Sequence, residues 1–388
     1  MPKPDSHDAE NLADEPVASI RSVYDGKLFP DEQIRTFRNI DRLFSTRTIA
    51  RAGAVRPLPR RATPLRDLSF VSGGKTCDLY DYYSRNRLTG LLIMKDGEIA
   101  FERYEAGNTE RTRWMSMSMA KSFATTLVGA AIKDGYIGGL EDPLDRYVPE
   151  LKGGGYEGVS VRALLQMTSG VEWYEGYEDR ASDRRRMLEL QIEQKPGAIL
   201  DLMASRPRAA EPGTVWNYST GETHIVGALV HAATGRYLSD YLSEKIWSRL
   251  GMESDAAWWL EAPGGLEVAG SGMCATLRDY ARFGLFMMND GVIDGERVLP
   301  EGWVAEAGAP RMVGGKQVDY GFMWWPQPSS TGSFEDGAFR AGGIFGQYIY
   351  INPKEKVVVC VWSARSKPKF SEAIPDVDFF NAAVEALR

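Results

Sequence analysis

A serine three residues ahead of a lysine is the smallest arrangement in this chain that could do nucleophilic chemistry. On a helix, positions i and i+3 share a face with Cβ atoms about 5–6 Å apart, so the amine reaches the hydroxyl one turn back. Apolar neighbours strip water from the ammonium and lower its pKa. The neutral amine then takes the serine proton during attack on a carbonyl. The spacing occurs three times, as Ser72–Lys75, Ser118–Lys121 and Ser366–Lys369. About one is expected by chance in a chain of this length, so context must decide. Ser72-Gly-Gly-Lys75 reads as a turn, and Ser366-Lys-Pro-Lys369 carries a proline that would break a helix. Only Ser118 stands at the first turn of an apolar helix, in Trp114-Met-Ser-Met-Ser-Met-Ala-Lys-Ser122. Met117, Met119 and Phe123 would desolvate Lys121 there, and the helix N-terminus adds a positive dipole end for an oxyanion. The competing reading is an N-cap serine with a lysine on a solvated face.

Other chemistries have little to work with. The chain has no GxSxG elbow, Walker A loop, HExxH or strand–GxGxxG–helix pattern. Its three histidines are His7, His224 and His231, and the last two lie seven apart on one apparent helix, as packing or surface residues do. Cys77, Cys274 and Cys360 are scattered and odd in number, giving neither a disulfide framework nor a zinc spacing. No metal or organic cofactor is implied. A net charge of −7 argues against a nucleic-acid partner. The one compact basic run, Arg184-Arg185-Arg186, sits among acids and reads as a solvated face or loop. The acidic N-terminus is not a secretory signal, and no apolar run approaches the roughly 18–20 residues of a membrane span. A cytoplasmic location is therefore the default expectation, with no membrane partner.

The elements that must position Ser118 follow from periodicity. Residues 1–30 read as a poorly ordered or wrapping arm. Leu91–Met94 and Ile99–Phe101 flank Lys95-Asp-Gly-Glu98, a hairpin signal. A helix over 118–134 is closed by Gly135, and further helices fall near 220–234, 237–249 and 276–290, the last opened by Thr276-Leu-Arg-Asp279. Strand signals return at Tyr320–Trp325, Gln347–Ile351 and Val357–Trp362, before a final helix at 371–387. Segment 175–212 is polar and irregular, the best candidate for a loop over a site. These patterns predict an α+β fold in which strands from both ends of the chain form one antiparallel sheet flanked by helices. The expected division is a 1–30 arm, a sheet domain of 31–135 with 310–388, and a mainly helical domain of 136–309.

With these motifs in order, the chain resembles the serine β-lactamase/penicillin-binding-protein superfamily. The nearest resemblance is to the class C-like branch with 6-aminohexanoate-dimer (nylon oligomer) hydrolases and family VIII esterases. It rests on Ser118-Met-Ala-Lys121, Val148-Pro-Glu-Leu151, Val161–Gly170, Tyr218–Gly227, Gly272–Gly284 and Gly343-Ile-Phe-Gly-Gln347, across residues 85–365. The resemblance implies a β-lactamase-like fold, an acyl-enzyme on Ser118, Lys121 as base and Tyr218 sharing its proton network. It also implies an oxyanion hole of the Ser118 and Ile344 amides, with Gly342 and Gly343 letting substrate lie along their strand. A simple bulge is the alternative role for the two glycines. Tyr177 corresponds to a loop tyrosine that assists amide cleavage in the nylon-oligomer hydrolases. Two departures matter. The family's Tyr-x-Asn is Tyr218-Ser-Thr220, and its Lys-Thr-Gly is Ala341-Gly342-Gly343 beside Arg340. Both remove groups that bind penicillins. The expected activity is hydrolysis of a small linear amide or ester. A β-lactamase or D-amino-acid peptidase, and a non-catalytic binding protein of the same fold, are the alternatives.

Overall fold

The structure, a computed structural model, describes residues 14–388. Its main sheet has six antiparallel strands, ordered Trp325–Pro326, Phe339–Gly343, Gln347–Asn352, Val357–Ser363, Leu88–Lys95 and Glu98–Tyr104. Strands from the two ends of the chain meet where Val357–Ser363 pairs with Leu88–Lys95. These two strands carry continuous apolar runs, Leu91–Met94 and Val357–Trp362, because both faces of the sheet are covered. Leu92, Met94, Val358, Cys360 and Trp362 face the larger core, which includes helix Met119–Lys133. Leu91, Ile93, Val357, Val359 and Val361 face a smaller one with Phe379 and Phe380 of the C-terminal helix Asp376–Ala386. The Asp96-Gly97 turn has φ of 53° and 82°, the left-handed pair that the hairpin signal requires.

Helix Met119–Lys133 is buried along nearly its whole length, polar Lys121, Ser122, Thr125 and Thr126 included, because neighbouring elements cover every side of it. Helices Thr220–Thr234, Leu238–Lys245 and Leu277–Met288 fall where the periodicity placed them, the last with Thr276 accepting from the Asp279 amide. A second sheet was not foreseen. Its four short strands run in the order Thr46–Ile49, Ala256–Trp259, Met273–Thr276 and Arg113–Met115, and the last leads directly into Ser118.

Four expectations need correction or limits. Segment 175–212 is not one irregular loop, since helices Asp183–Glu193 and Ala198–Ala204 occupy much of it. Arg184 and Arg185 are buried rather than solvated. Arg184 donates to the Tyr24 hydroxyl, and Arg185 pairs with Asp25 at 2.7 Å and donates to the Tyr177 carbonyl at 3.1 Å. Of Tyr320–Trp325 only Trp325 enters a strand, because Gly321 backs onto the Ala307 carbonyl, where a Cβ would lie 1.6 Å away. Within the 1–30 arm, residues 1–13 lie outside the described residues, and Ile20–Tyr24 forms a packed helix. No helix among the described residues is long and apolar enough to cross a membrane.

Candidate active site

The turn before Ser118 holds Met117 at φ 44°, in the left-handed region, an unusual conformation for a non-glycine residue. The turn is anchored by the Ser116 amide, which donates to Met273 of the second sheet at 2.7 Å. Ser118 then becomes the N-cap of helix Met119–Lys133, but its side chain makes no capping bond. Its Oγ instead accepts from Lys121 Nζ at 3.0 Å. The only other hydrogen bond of that amine is to the Gly270 carbonyl at 2.9 Å, and among the described residues it makes no ion pair. Burial without a counter-ion lowers the Lys121 pKa to about 7; nearby Glu175 opposes the shift, and Arg184 and Lys369 add to it. Both parts of the N-cap alternative fail, since the serine does not cap and the lysine is not solvated.

Tyr218 completes the polar centre. The hydroxyls of Ser118 and Tyr177 face its phenol and favour its ionised form, but burial and Glu175 outweigh them and push its pKa up. Tyr218 is therefore protonated at neutral pH. Its ring belongs to an aromatic wall, 5.9 Å from both Trp325 and Tyr320, with Trp216 beyond. Tyr177 is buried on Tyr24, with ring centroids 6.4 Å apart, and its carbonyl accepts from Arg185, which Asp25 at the end of the N-terminal helix holds in place.

The sheet edge closes the other side. Gly343 is not a bulge, because Phe339–Gly343 pairs in unbroken register with Gln347–Asn352. A Cβ there would lie 2.6 Å from the Ser116 carbonyl and 2.9 Å from Met117 Cβ. Only glycine lets this strand reach the serine turn. The chain then reverses through Ile344, Phe345 (φ 64°) and Gly346 (φ 85°), a turn tied down by the Phe345 amide donating to Pro368 at 3.1 Å. Ser118, Tyr177, Tyr218, Gly342, Gly343 and Ile344 all line one cavity of about 350 Å³. Ala341 is buried and does not line it, whereas Arg340 does. A larger groove of about 880 Å³ lies near Cys77, Tyr83 and Phe101 but holds no paired nucleophile and base. Among the described residues no cluster of His, Cys, Asp and Glu could hold a metal ion.

A β-lactamase family profile matches residues 85–380, well over half of the sequence. The chain belongs to the β-lactamase family. A 6-aminohexanoate-dimer hydrolase of Paenarthrobacter ureafaciens is 28% identical over 351 residues, covering 86% of this chain and 85% of that one. A solved Bacillus anthracis structure, provisionally named a 6-aminohexanoate-dimer hydrolase, superposes with a TM-score of 0.80 at 25% identity. It covers 92% of this chain and 94% of that one. A family VIII carboxylesterase shares the fold at a TM-score of 0.60 and 18% identity, over 79% of this chain and 94% of that one.

Three residues of this β-lactamase-family site were not singled out from sequence. Gly270 supplies the carbonyl that holds Lys121, and a Cβ there would lie 2.8 Å from Thr220 and 3.2 Å from the amine. Glu175 accepts from the Thr220 amide at 2.9 Å, from the Thr220 hydroxyl, and from Trp173 Nε1 at 2.5 Å. It thereby ties up the residue that replaces the family's asparagine. The signal was its place two residues before Tyr177. Lys369 Nζ lies 4.7 Å from the Tyr177 ring centroid and 5.9 Å from that of Tyr218. Its proline-broken Ser-x-x-Lys forms no helix, as expected, yet the loop delivers the lysine to the cavity.

Two outcomes follow from this geometry. Gly343→Ala must move the strand away from Ser116, and about 1 Å of misplacement is expected to cost about 10²-fold in kcat on an ester substrate. Stopped assays at saturating substrate would measure it. Glu175→Gln removes the charge that raises the Lys121 pKa, so the acidic limb of the pH–rate profile should move to lower pH. The rate itself should fall about tenfold as Thr220 loosens.

Proposed function

We propose that this protein is a serine hydrolase that cleaves linear amides or esters of small molecules through an acyl-enzyme on Ser118. The observation that carries the reading is the buried Lys121 amine, 3.0 Å from Ser118 Oγ, which makes no ion pair among the described residues. Lys121 takes the hydroxyl proton as Oγ bonds to the substrate carbonyl carbon. The amides of Ser118 and Ile344 hold the oxyanion, each worth about 3 kcal/mol in the transition state. Neither amide donates to a turn or loop carbonyl among the described residues. As the tetrahedral intermediate collapses, the carbon–leaving-group bond breaks and Tyr218 supplies a proton to the departing amine or alcohol. The Lys121 ammonium restores that proton. Water then attacks the ester carbonyl of Ser118, giving a proton to the Lys121–Tyr218 pair; the acyl carbon–Oγ bond breaks, the pair returns that proton to Ser118 Oγ, and the acid is released.

The aromatic wall of Tyr218, Trp325 and Trp216, backed by buried Tyr320, suits a methylene chain rather than a fused ring carrying several polar groups. The 6-aminohexanoate-dimer hydrolase relative supports a linear amide, and the carboxylesterase fold supports esters. Against a β-lactam, Thr220 is engaged by Glu175 and Ala341 stands in place of a lysine. A panel of p-nitrophenyl butyrate, 6-aminohexanoate dimer and nitrocefin tests the reading. Turnover of the ester or the dimer well above nitrocefin is expected. Comparable nitrocefin turnover would make the protein a lactamase, and no turnover of any substrate would leave a binding protein.

A further inference from the structure

The cavity is also lined by the cations Arg340, Arg365 and Lys369, whose charges are incompletely matched. Arg365 is matched, with Nη1 and Nη2 on Asp376 at 3.0 and 2.5 Å. Asp376 also accepts from the Tyr82 hydroxyl at 2.7 Å. Arg340 is left with the remainder, 4.0 Å from that same carboxylate, and its Nε and Nη1 find no hydrogen-bond partner among the described residues. Its guanidinium lies over the Tyr348 ring at 4.5 Å. Lys369 makes no ion pair among the described residues, although nearby Lys367 pairs with Glu178 at 3.6 Å. Lys369 is exposed as a residue, yet its ammonium rests against Tyr177 and Tyr218, on the same cavity as Ser118. The loop that carries it is held in place by Pro368, through the bond to Phe345. The other acids facing these cations are Glu372, 3.9 Å from Arg365, and Glu175, already engaged by Thr220 and Trp173.

We propose that Lys369, backed by Arg340, forms an anion-recognising subsite, so that the amide or ester cleaved here carries a carboxylate or an equivalent monoanion. The subsite rests on the hydrolase reading above and specifies the charge of its substrate. An ammonium beside aromatic faces and partly removed from water binds a carboxylate more strongly than a solvated one does.

Two matched ester pairs locate the anion. In one the carboxylate is on the acyl chain, p-nitrophenyl hemiglutarate against p-nitrophenyl butyrate. In the other it is on the leaving group, 3-carboxyphenyl butyrate against phenyl butyrate. At least one anionic ester should exceed its neutral partner by about tenfold in kcat/KM. Lys369→Ala should erase that preference, bringing the anionic-to-neutral ratio of kcat/KM to about one, mainly through KM, while Lys369→Arg keeps the ratio. Equal kcat/KM within both pairs, or equal losses on charged and neutral esters in Lys369→Ala, would overturn the proposal. Failure of hydrolysis itself is read separately by calorimetric titration of Ser118→Ala with adipamate and with hexanamide. Tighter binding of adipamate, lost in Ser118→Ala/Lys369→Ala, supports the subsite even without turnover. Equal binding of the two overturns it.

Discussion

Ser118→Ala is expected to lower kcat/KM for p-nitrophenyl butyrate by at least about 10⁴-fold, because it removes the atom that must bond to the acyl carbon. The fold should scarcely notice. Ser118 makes no capping bond, and Lys121 keeps its hydrogen bond to Gly270 when the hydroxyl is gone. Stability should therefore stay within about 1 kcal/mol of wild type by urea denaturation. Lost activity together with lost stability would mean that Ser118 is structural. The small residual rate of the variant should come from the oxyanion amides and the aromatic wall, which the substitution leaves in place.

Lys121→Met is the second large effect, and it separates activity from stability. Removing the base should cost about 10³-fold or more in kcat, with the steep dependence on pH near neutrality lost as well. In wild type, the pKa of about 7 means that activity rises as pH climbs through neutrality and the amine becomes free. The effect on stability has the opposite sense from that of an ordinary surface lysine. Its folded pKa lies below the usual 10.5, so between about 7 and 10.5 the unfolded chain binds more protons and wild-type stability rises with pH. Below pH 7 the folded protein carries the full cost of a buried ammonium without a partner. Lys121→Met should thus be more stable than wild type by about 1–4 kcal/mol at pH 6. That advantage should shrink by pH 9. Denaturation of both proteins at the two pH values checks the sign.

Local chemistry made much of this legible. The 118–134 helix repeats apolar residues at Phe123, Leu127 and Ala130/Ala131 and is ended by Gly135, and the Asp96-Gly97 hairpin carries its own turn residues, so neither needed tertiary information. The terminal strands could be paired because each is a continuous apolar run that must be covered on both faces. What stayed hidden depends on distant partners. The second sheet is built from strands of only three or four residues, and their pairing joins Thr46–Ile49 to Ala256–Trp259 across some two hundred positions. Arg184 and Arg185 look like a solvated run until Tyr24 and Asp25 arrive from the N-terminal helix. The helix they sit in ends at Gln194, at φ 53°, where sequence rules look for glycine. Lys369 shows the same limit most directly. Pro368 does exclude a helix there, but the position of the resulting loop is set by Phe345, on a turn whose place only the folded sheet fixes.

The most direct test of Ser118 as the acylated nucleophile is intact-protein and peptide mass spectrometry after treatment with a fluorophosphonate. A single adduct is predicted, located on the peptide containing Ser118. It should be absent in Ser118→Ala, and its rate of formation should rise with pH through about 7. An adduct on another residue would contradict the account, as would an unreactive wild type or labelling that persists in Ser118→Ala.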